Sequence, residues 1–175
     1  PPGNRRLRGV MQPPIRIGVV GVGYWGPNLV RVFSEDARCI VTGVADVKPE
    51  RCAVVKSRHP GLTIFSCVDD MLTTVDAIVI AAPVRHHYSI AFTALQAGKH
   101  ILVEKPFAST PDQARTLIEL ARRRGLVLMV DHTFVYNGAV RKIAELIANK
   151  ELGDLLYFDS RRVNLGIFRD DADVV

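Results

Sequence analysis

The chain has 175 residues, 48% of them apolar, with 23 basic and 18 acidic side chains. That length suits one complete domain, or one domain with part of another, and the apolar share excludes a disordered chain. A chain of this size buries a core without disulfides or a structural metal. Its three cysteines, Cys39, Cys52 and Cys67, lack the paired spacing of a zinc site and read as thiols of a reducing, cytoplasmic compartment, with no metal expected. No apolar run approaches the roughly 18 residues that span a bilayer, so no membrane partner is expected. The opening PPGNRRLRGVMQPP is basic but has no apolar stretch behind it, and residues 1–14 read as a flexible leader rather than a signal peptide.

The formal charge of +5 points to nucleic acid only until its distribution is read. Arg5, Arg6 and Arg8 lie in the leader, and without them the balance is 20 basic to 18 acidic residues. Arg122, Arg123 and Arg124 suit a solvated helix end, where cations meet the negative end of the helix dipole, and no aromatic platform accompanies them. Nucleic acid is therefore a poor fit as a partner.

Short β-branched runs then alternate with stretches of helical period, without internal repeats. Strands are expected at 15–20 (IRIGVV), 40–45 (IVTGVA), 63–65, 77–81 (AIVIA), 100–103 (HILV) and 126–130 (LVLMV). Helices are expected at 28–34, about 48–58, about 86–97, and from Pro111 to a stop at Gly125, with a turn or short helix at 69–72. Strands apolar throughout, rather than alternating, imply burial on both faces, which a parallel sheet covered by helices requires. The pattern predicts a doubly wound α/β domain over residues 15–133. Past it, a helix over 138–149 and an alternating run, LLYFDSRRVNL, read as a connecting helix and the first strand of a different sheet, so 134–175 would open a second domain.

Gly21, Gly23 and Gly26 spell GVGYWG between the first strand and the first helix. In that context Gly21 permits a tight turn, Gly23 lets backbone approach a pyrophosphate, and Gly26 lets the helix pack on the strand, with helix N–H groups aimed at the phosphates. Asp46 lies 20 residues after Gly26, at the end of the second strand, where a carboxylate accepts both ribose hydroxyls of an adenosine and repels a 2′-phosphate. NAD is thereby favoured over NADP, although Lys48 and Arg51 stand near; capping of the next helix is the other reading of Asp46. Pro83 and His87 follow a central strand, at the sheet edge where such folds bind ligands, and His87 could instead simply begin a helix. Glu104, Lys105 and Pro106 follow the next strand. A lysine there projects over the cofactor crevice and could polarise a substrate hydroxyl or share its proton, unless it is an ordinary loop lysine. Pro106 could take a cis bond that aims it.

GVGYWG, AAPVRHH and above all EKP after a strand resemble the Gfo/Idh/MocA family of nicotinamide oxidoreductases, over about residues 15–170. Within it, GYWGPNLVR, VLMVDHTFVYNGAVRKI and DSRRVNLG resemble the branch that oxidises UDP-N-acetyl sugars at C3. That resemblance implies a Rossmann fold, NAD as cofactor, and a sugar or nucleotide-sugar substrate. It makes Lys105 the catalytic lysine beside the nicotinamide and the reacting carbon. It places Tyr24, Trp25, Ala82, Pro83, His87 and Glu104 with the glycines and Asp46 around the cofactor. It puts His132, Tyr136 and Asn137 in the substrate crevice, with core packing as the other reading of Tyr136 and a hydrophobic staple as that of Trp25. Arg162, with Arg161 and Asn164, would meet the sugar diphosphate or lie on a solvated strand face. Family members are considerably longer, and their second domain supplies most substrate contacts and much of a homo-oligomer interface, so this chain alone is expected to bind cofactor and turn over weakly. A non-catalytic NAD-binding module and a dehydrogenase of inositols are the alternatives.

Overall fold

The structure, a computed structural model, describes residues 13–161 and residue 163. Six strands, β1 (Ile15–Val20), β2 (Cys39–Ala45), β3 (Thr63–Phe65), β4 (Ala77–Ile80), β5 (His100–Val103) and β6 (Leu128–Val130), form one sheet in the order β3-β2-β1-β4-β5-β6. Every neighbouring pair runs parallel. Helices α1 (Gly26–Glu35), α2 (Pro49–Arg58), α3 (Val68–Leu72), α4 (His87–Gln96) and α5 (Pro111–Arg124) make the crossovers, and α6 (Gly138–Ala148) follows β6. This is the doubly wound parallel sheet expected, with its strand order reversing between β1 and β4.

The apolar runs are buried because side chains alternate across a strand and both faces are covered. Ile17, Val19, Val41 and Val79 pack with Val30 of α1 and Cys52 and Val55 of α2 on one face. Ile78, Ile80, Ile101 and Val103 pack with Ala91 and Leu95 of α4 and Leu117 and Leu120 of α5 on the other. Each such side chain contributes about 1.5–3 kcal/mol relative to exposure. The two helix pairs leave the α1 side of the last strands thinly covered. Met129 is 40% exposed there, and an open cleft of about 590 Å³ runs between α1 and the β5–β6 end, lined by Trp25, Leu29, Leu102, Asp131 and Thr133.

Helix α1 opens at Gly26, as expected of the last glycine of the motif, with Pro27 in its first turn, where its missing N–H has no helical acceptor. Two expected elements differ. Strand β6 starts at Leu128 rather than Leu126, because the C-terminus of α5 consumes the intervening residues. Gly125 takes φ 64°, Leu126 N–H donates to Ala121 O, and Val127 N–H donates to His100 Nδ1. The second difference is a correction: residues 155–161 of LLYFDSRRVNL belong to no strand, and Leu156, Tyr157 and Phe158 are exposed. A strand's hydrogen bonds come from a neighbour, and none flanks this run among the described residues. Arg162 and Asn164 lie outside the described residues.

Candidate active site

The carboxyl ends of β1, β4 and β5 lie side by side, so the loops that leave them meet over one edge of the sheet. After β1 the chain turns at Gly21 with φ 87°, a conformation that side chains other than glycine rarely adopt. A Cβ at Gly21 would lie 2.6 Å from Ala82 N, so the glycine loop and the β4 loop touch through main chain. A Cβ at Gly26 would lie 2.0 Å from Gly21 O, which brings the first residue of α1 onto the turn. At Gly23 the nearest atom to such a Cβ is Nη1 of Arg51, 3.2 Å away, at the end of a flexible side chain. No side chain caps α1 at Trp25, whereas Thr110 caps α5 and Asn137 caps α6. Pro27 has no N–H and Asn28 N–H donates to Trp25 O at 2.9 Å, so in the first turn of α1 the Gly26 N–H is left without a helical acceptor, at the end that a pyrophosphate approaches.

Asp46 ends β2 beside this loop, its side chain 4% exposed. Its Oδ2 accepts from Val22 N at 2.8 Å and its Oδ1 from Lys48 N at 2.9 Å, with Arg51 Nη1 3.6 Å from Oδ1. The carboxylate thus ties the glycine loop to the start of α2 while each oxygen retains a lone pair for a ribose hydroxyl. Losing one charge-assisted hydrogen bond costs about 2 kcal/mol, roughly thirtyfold in affinity. Asp46→Ala, which removes both oxygens, is therefore expected to weaken NAD binding by at least that factor and to narrow its margin over NADP, as titration calorimetry with the two cofactors would read. Unchanged NAD affinity would assign Asp46 to loop structure alone.

His87, placed by expectation among the cofactor contacts, is 1% exposed. Its Nε2 lies 2.7 Å from Ala82 O and its Nδ1 2.9 Å from Pro106 O. Each ring nitrogen faces a backbone carbonyl, one in the β4 loop and one in the β5 loop, and the ring N–H donates to one of them according to the tautomer, so the buried ring bridges the two loops. Pro83 is exposed and leads into a single 3-10 turn over Val84–His86. Tyr24 and Trp25 are 71% and 42% exposed and stack with ring centroids 6.4 Å apart. Trp25 lines the α1 cleft.

Lys105 is exposed at the end of β5, and its bond to Pro106 is cis, the isomer that the sequence suggested. Glu104 before it is half-buried. Its Oε2 accepts from Lys105 N at 3.3 Å, and its Oε1 is buried without a donor. Burial, and after it the neighbouring Asp131 carboxyl, push the Glu104 carboxyl up to about 7 against the opposing pull of Lys105. Asp131 had no place in the sequence reading. Its only signal there was its position directly after a strand, and only the pairing of Val103 with Val130 brings it beside Glu104.

His132 and Tyr136 are exposed on the turn after β6, and Tyr136, at 63%, does not pack into the core of the described residues. Asn137 spends its Oδ1 on Ala139 N at 2.9 Å, capping α6. Helix α6 presents Val140, Ile143 and Ile147 at its surface.

Residues 15–132 match the family described as "Oxidoreductase family, NAD-binding Rossmann fold". The chain belongs to this family, Gfo/Idh/MocA, and carries its NAD-binding fold. UDP-N-acetylglucosamine 3-dehydrogenase of Acidithiobacillus ferrooxidans is 37% identical over 118 residues, 67% of this chain and 37% of that protein. The solved structure of that enzyme aligns with a TM-score of 0.69 at 34% identity, over 75% of this chain and 42% of the other. The structure of GenD2 from gentamicin A biosynthesis, in complex with NAD, aligns with a TM-score of 0.75 at 31% identity, over 86% of this chain and 42% of the other. The chain thus spans about two-fifths of the length of the relatives it matches. No described helix is long and apolar enough to cross a membrane.

Proposed function

We propose that this chain is the cofactor-binding part of an NAD-dependent dehydrogenase that oxidises a secondary hydroxyl of a sugar, a UDP-N-acetyl sugar at C3. Residues 15–133 form its cofactor domain, and the segment from 134 opens the part that meets substrate. The observation that carries this reading is the placement of Lys105, an exposed lysine just past the end of β5, on the same sheet edge as the glycine turn and separated from it by the β4 loop. The similarity to a UDP-N-acetylglucosamine 3-dehydrogenase supports the choice of substrate.

NAD, when bound, supplies the hydride acceptor. The chain's own residues do the rest: α1 and the glycine turn hold the pyrophosphate, Asp46 takes the adenosine ribose, and His87 fixes the two loops that frame the nicotinamide end. Lys105, as the free amine, accepts the hydrogen bond of the substrate hydroxyl and takes up its proton to become an ammonium as the C–H bond gives up its hydride, so the carbinol becomes a ketone. His132, Tyr136 and Asn137 stand on the turn that faces substrate. The reaction belongs in a reducing cytoplasm, where Cys39, Cys52 and Cys67, all free thiols, stay reduced.

The test is NADH formation against a panel of UDP-N-acetyl sugars, free sugars and inositols, in protein of the length its relatives have. Oxidation of a UDP-N-acetyl sugar in preference to the others is expected. Preference for an inositol would overturn the substrate assignment, and nicotinamide binding without oxidation of any member would overturn the catalytic one. The 175-residue chain by itself is expected to bind NAD and to turn over at well below roughly 1 per second.

A further inference from the structure

Strands β5 and β6 pair in register through Val103 and Val130, so the next residues on each, Glu104 and Asp131, are two carboxyls at adjacent strand ends. Main-chain bonds fix both: Glu104 N donates to Ile80 O at 2.9 Å and Asp131 N to Val103 O at 2.9 Å. Were both groups ionised, Glu104 Oε1 would be buried with no donor, a costly arrangement beside a second negative charge. One proton between them would account for both Glu104 oxygens: Oε1 would turn that proton toward Asp131, while Oε2 accepts the main-chain N–H of Lys105 at 3.3 Å.

We propose that Glu104 and Asp131 share one proton across the ends of β5 and β6, and that this pair positions Lys105 by holding its main-chain N–H. Removal of the proton sets two carboxylates against each other, drives Glu104 away from Asp131 and frees the Lys105 backbone. The groups that face Glu104 are Asp131 from β6 and Lys105 on its own strand end, while β4 offers only the Ile80 carbonyl. Arg31 lines the cleft beside Asp131 from α1, engaged with Glu35 at 3.0 Å. Glu104 and Asp131 are positioning residues in this scheme, and the value of placing Lys105 rests on the catalytic reading above.

The sign of the pH dependence follows. A carboxyl that holds its proton more tightly in the folded state adds stability that is complete below the unfolded carboxyl range and lost as pH rises through about 7. The experiment is NMR titration of the whole chain, following glutamate side-chain carboxyl carbons and the Lys105 amide. One glutamate carboxyl is expected to titrate near 7, with the Lys105 amide shifting at the same midpoint. Asp131→Asn supplies a neutral donor and should lower that midpoint by at least about one pH unit. Glu104→Gln, whose amide donates to Asp131 while its oxygen accepts from Lys105, should retain the low-pH position of the Lys105 amide and abolish its titration.

If every glutamate titrates in the ordinary range, around 4.3, or if the midpoint survives Asp131→Asn, the shared proton is overturned. A Lys105 amide that does not follow the carboxyl overturns the positioning role. None of these readouts needs turnover, so loss of sugar oxidation with the titration intact would count against the proposed function alone.

Discussion

Gly26→Ala is expected to abolish measurable NAD binding and to lower the melting temperature by several degrees. The added Cβ would sit 2.0 Å from Gly21 O and 2.9 Å from Gly21 C, both main-chain atoms that cannot rotate aside. Relief requires the first turn of α1 to move off the β1 turn, and overpacking of this kind costs about 1–3 kcal/mol. In a domain of this size each kcal/mol lowers the melting temperature by about 2–4 °C. The larger effect falls on the cofactor, because the displaced turn carries the Gly26 N–H at the end that a pyrophosphate approaches. Two other glycines supply the contrast. Gly61→Ala should change nothing, since no atom lies within 4 Å of its Cβ. Gly23→Ala should fold normally, because only the Arg51 guanidinium crowds it, and yet lose affinity where the pyrophosphate must approach. If Gly26→Ala binds NAD like the wild type, the glycine turn is a packing device and not the phosphate site.

Much of this was legible because parallel strands buried on both faces leave a plain mark. IRIGVV, IVTGVA, AIVIA and HILV are apolar at most successive residues rather than at alternate ones, and each became a strand of the sheet within a residue of its expected limits. The glycine turn was equally legible, since its demands are local: a positive φ at Gly21 and a close approach at Gly26 follow from the chain between β1 and α1. What the sequence concealed depends on contacts distant along the chain. LLYFDSRRVNL has strand periodicity, but periodicity does not supply the neighbour from which a strand draws its hydrogen bonds. His87 reads as a ligand-facing histidine in one dimension, and its burial appears only when Ala82 and Pro106 close on its two nitrogens. Asp131 became visible only through the register of β5 with β6. Charge interactions of this sort are set by which strands pair, and no window of sequence contains both partners.

Replacing Lys105 tests the chemistry most directly. Lys105→Ala is expected to lower turnover by about 10²–10⁴-fold, the usual contribution of a positioned acid–base group, in protein of the length its relatives have. NAD affinity should stay within about twofold, because losses below roughly 0.4 kcal/mol are what removing an exposed side chain outside the pyrophosphate and adenosine contacts implies. The separation of the two readouts matters more than the size of either. A structural lysine would move both through disorder of the β5 loop, and a lysine that only binds cofactor would raise the dissociation constant without a matching loss of the chemical step. Lys105→Arg sharpens the comparison. It keeps the positive charge but holds its proton at any working pH, so it should bind substrate and still fail to accept the hydroxyl proton. Recovery of turnover in Lys105→Arg would reduce the lysine to an electrostatic clamp and move the proton to another group on the same sheet edge. Full turnover in Lys105→Ala would remove the residue from the mechanism altogether, leaving a nicotinamide-binding domain whose chemistry lies elsewhere.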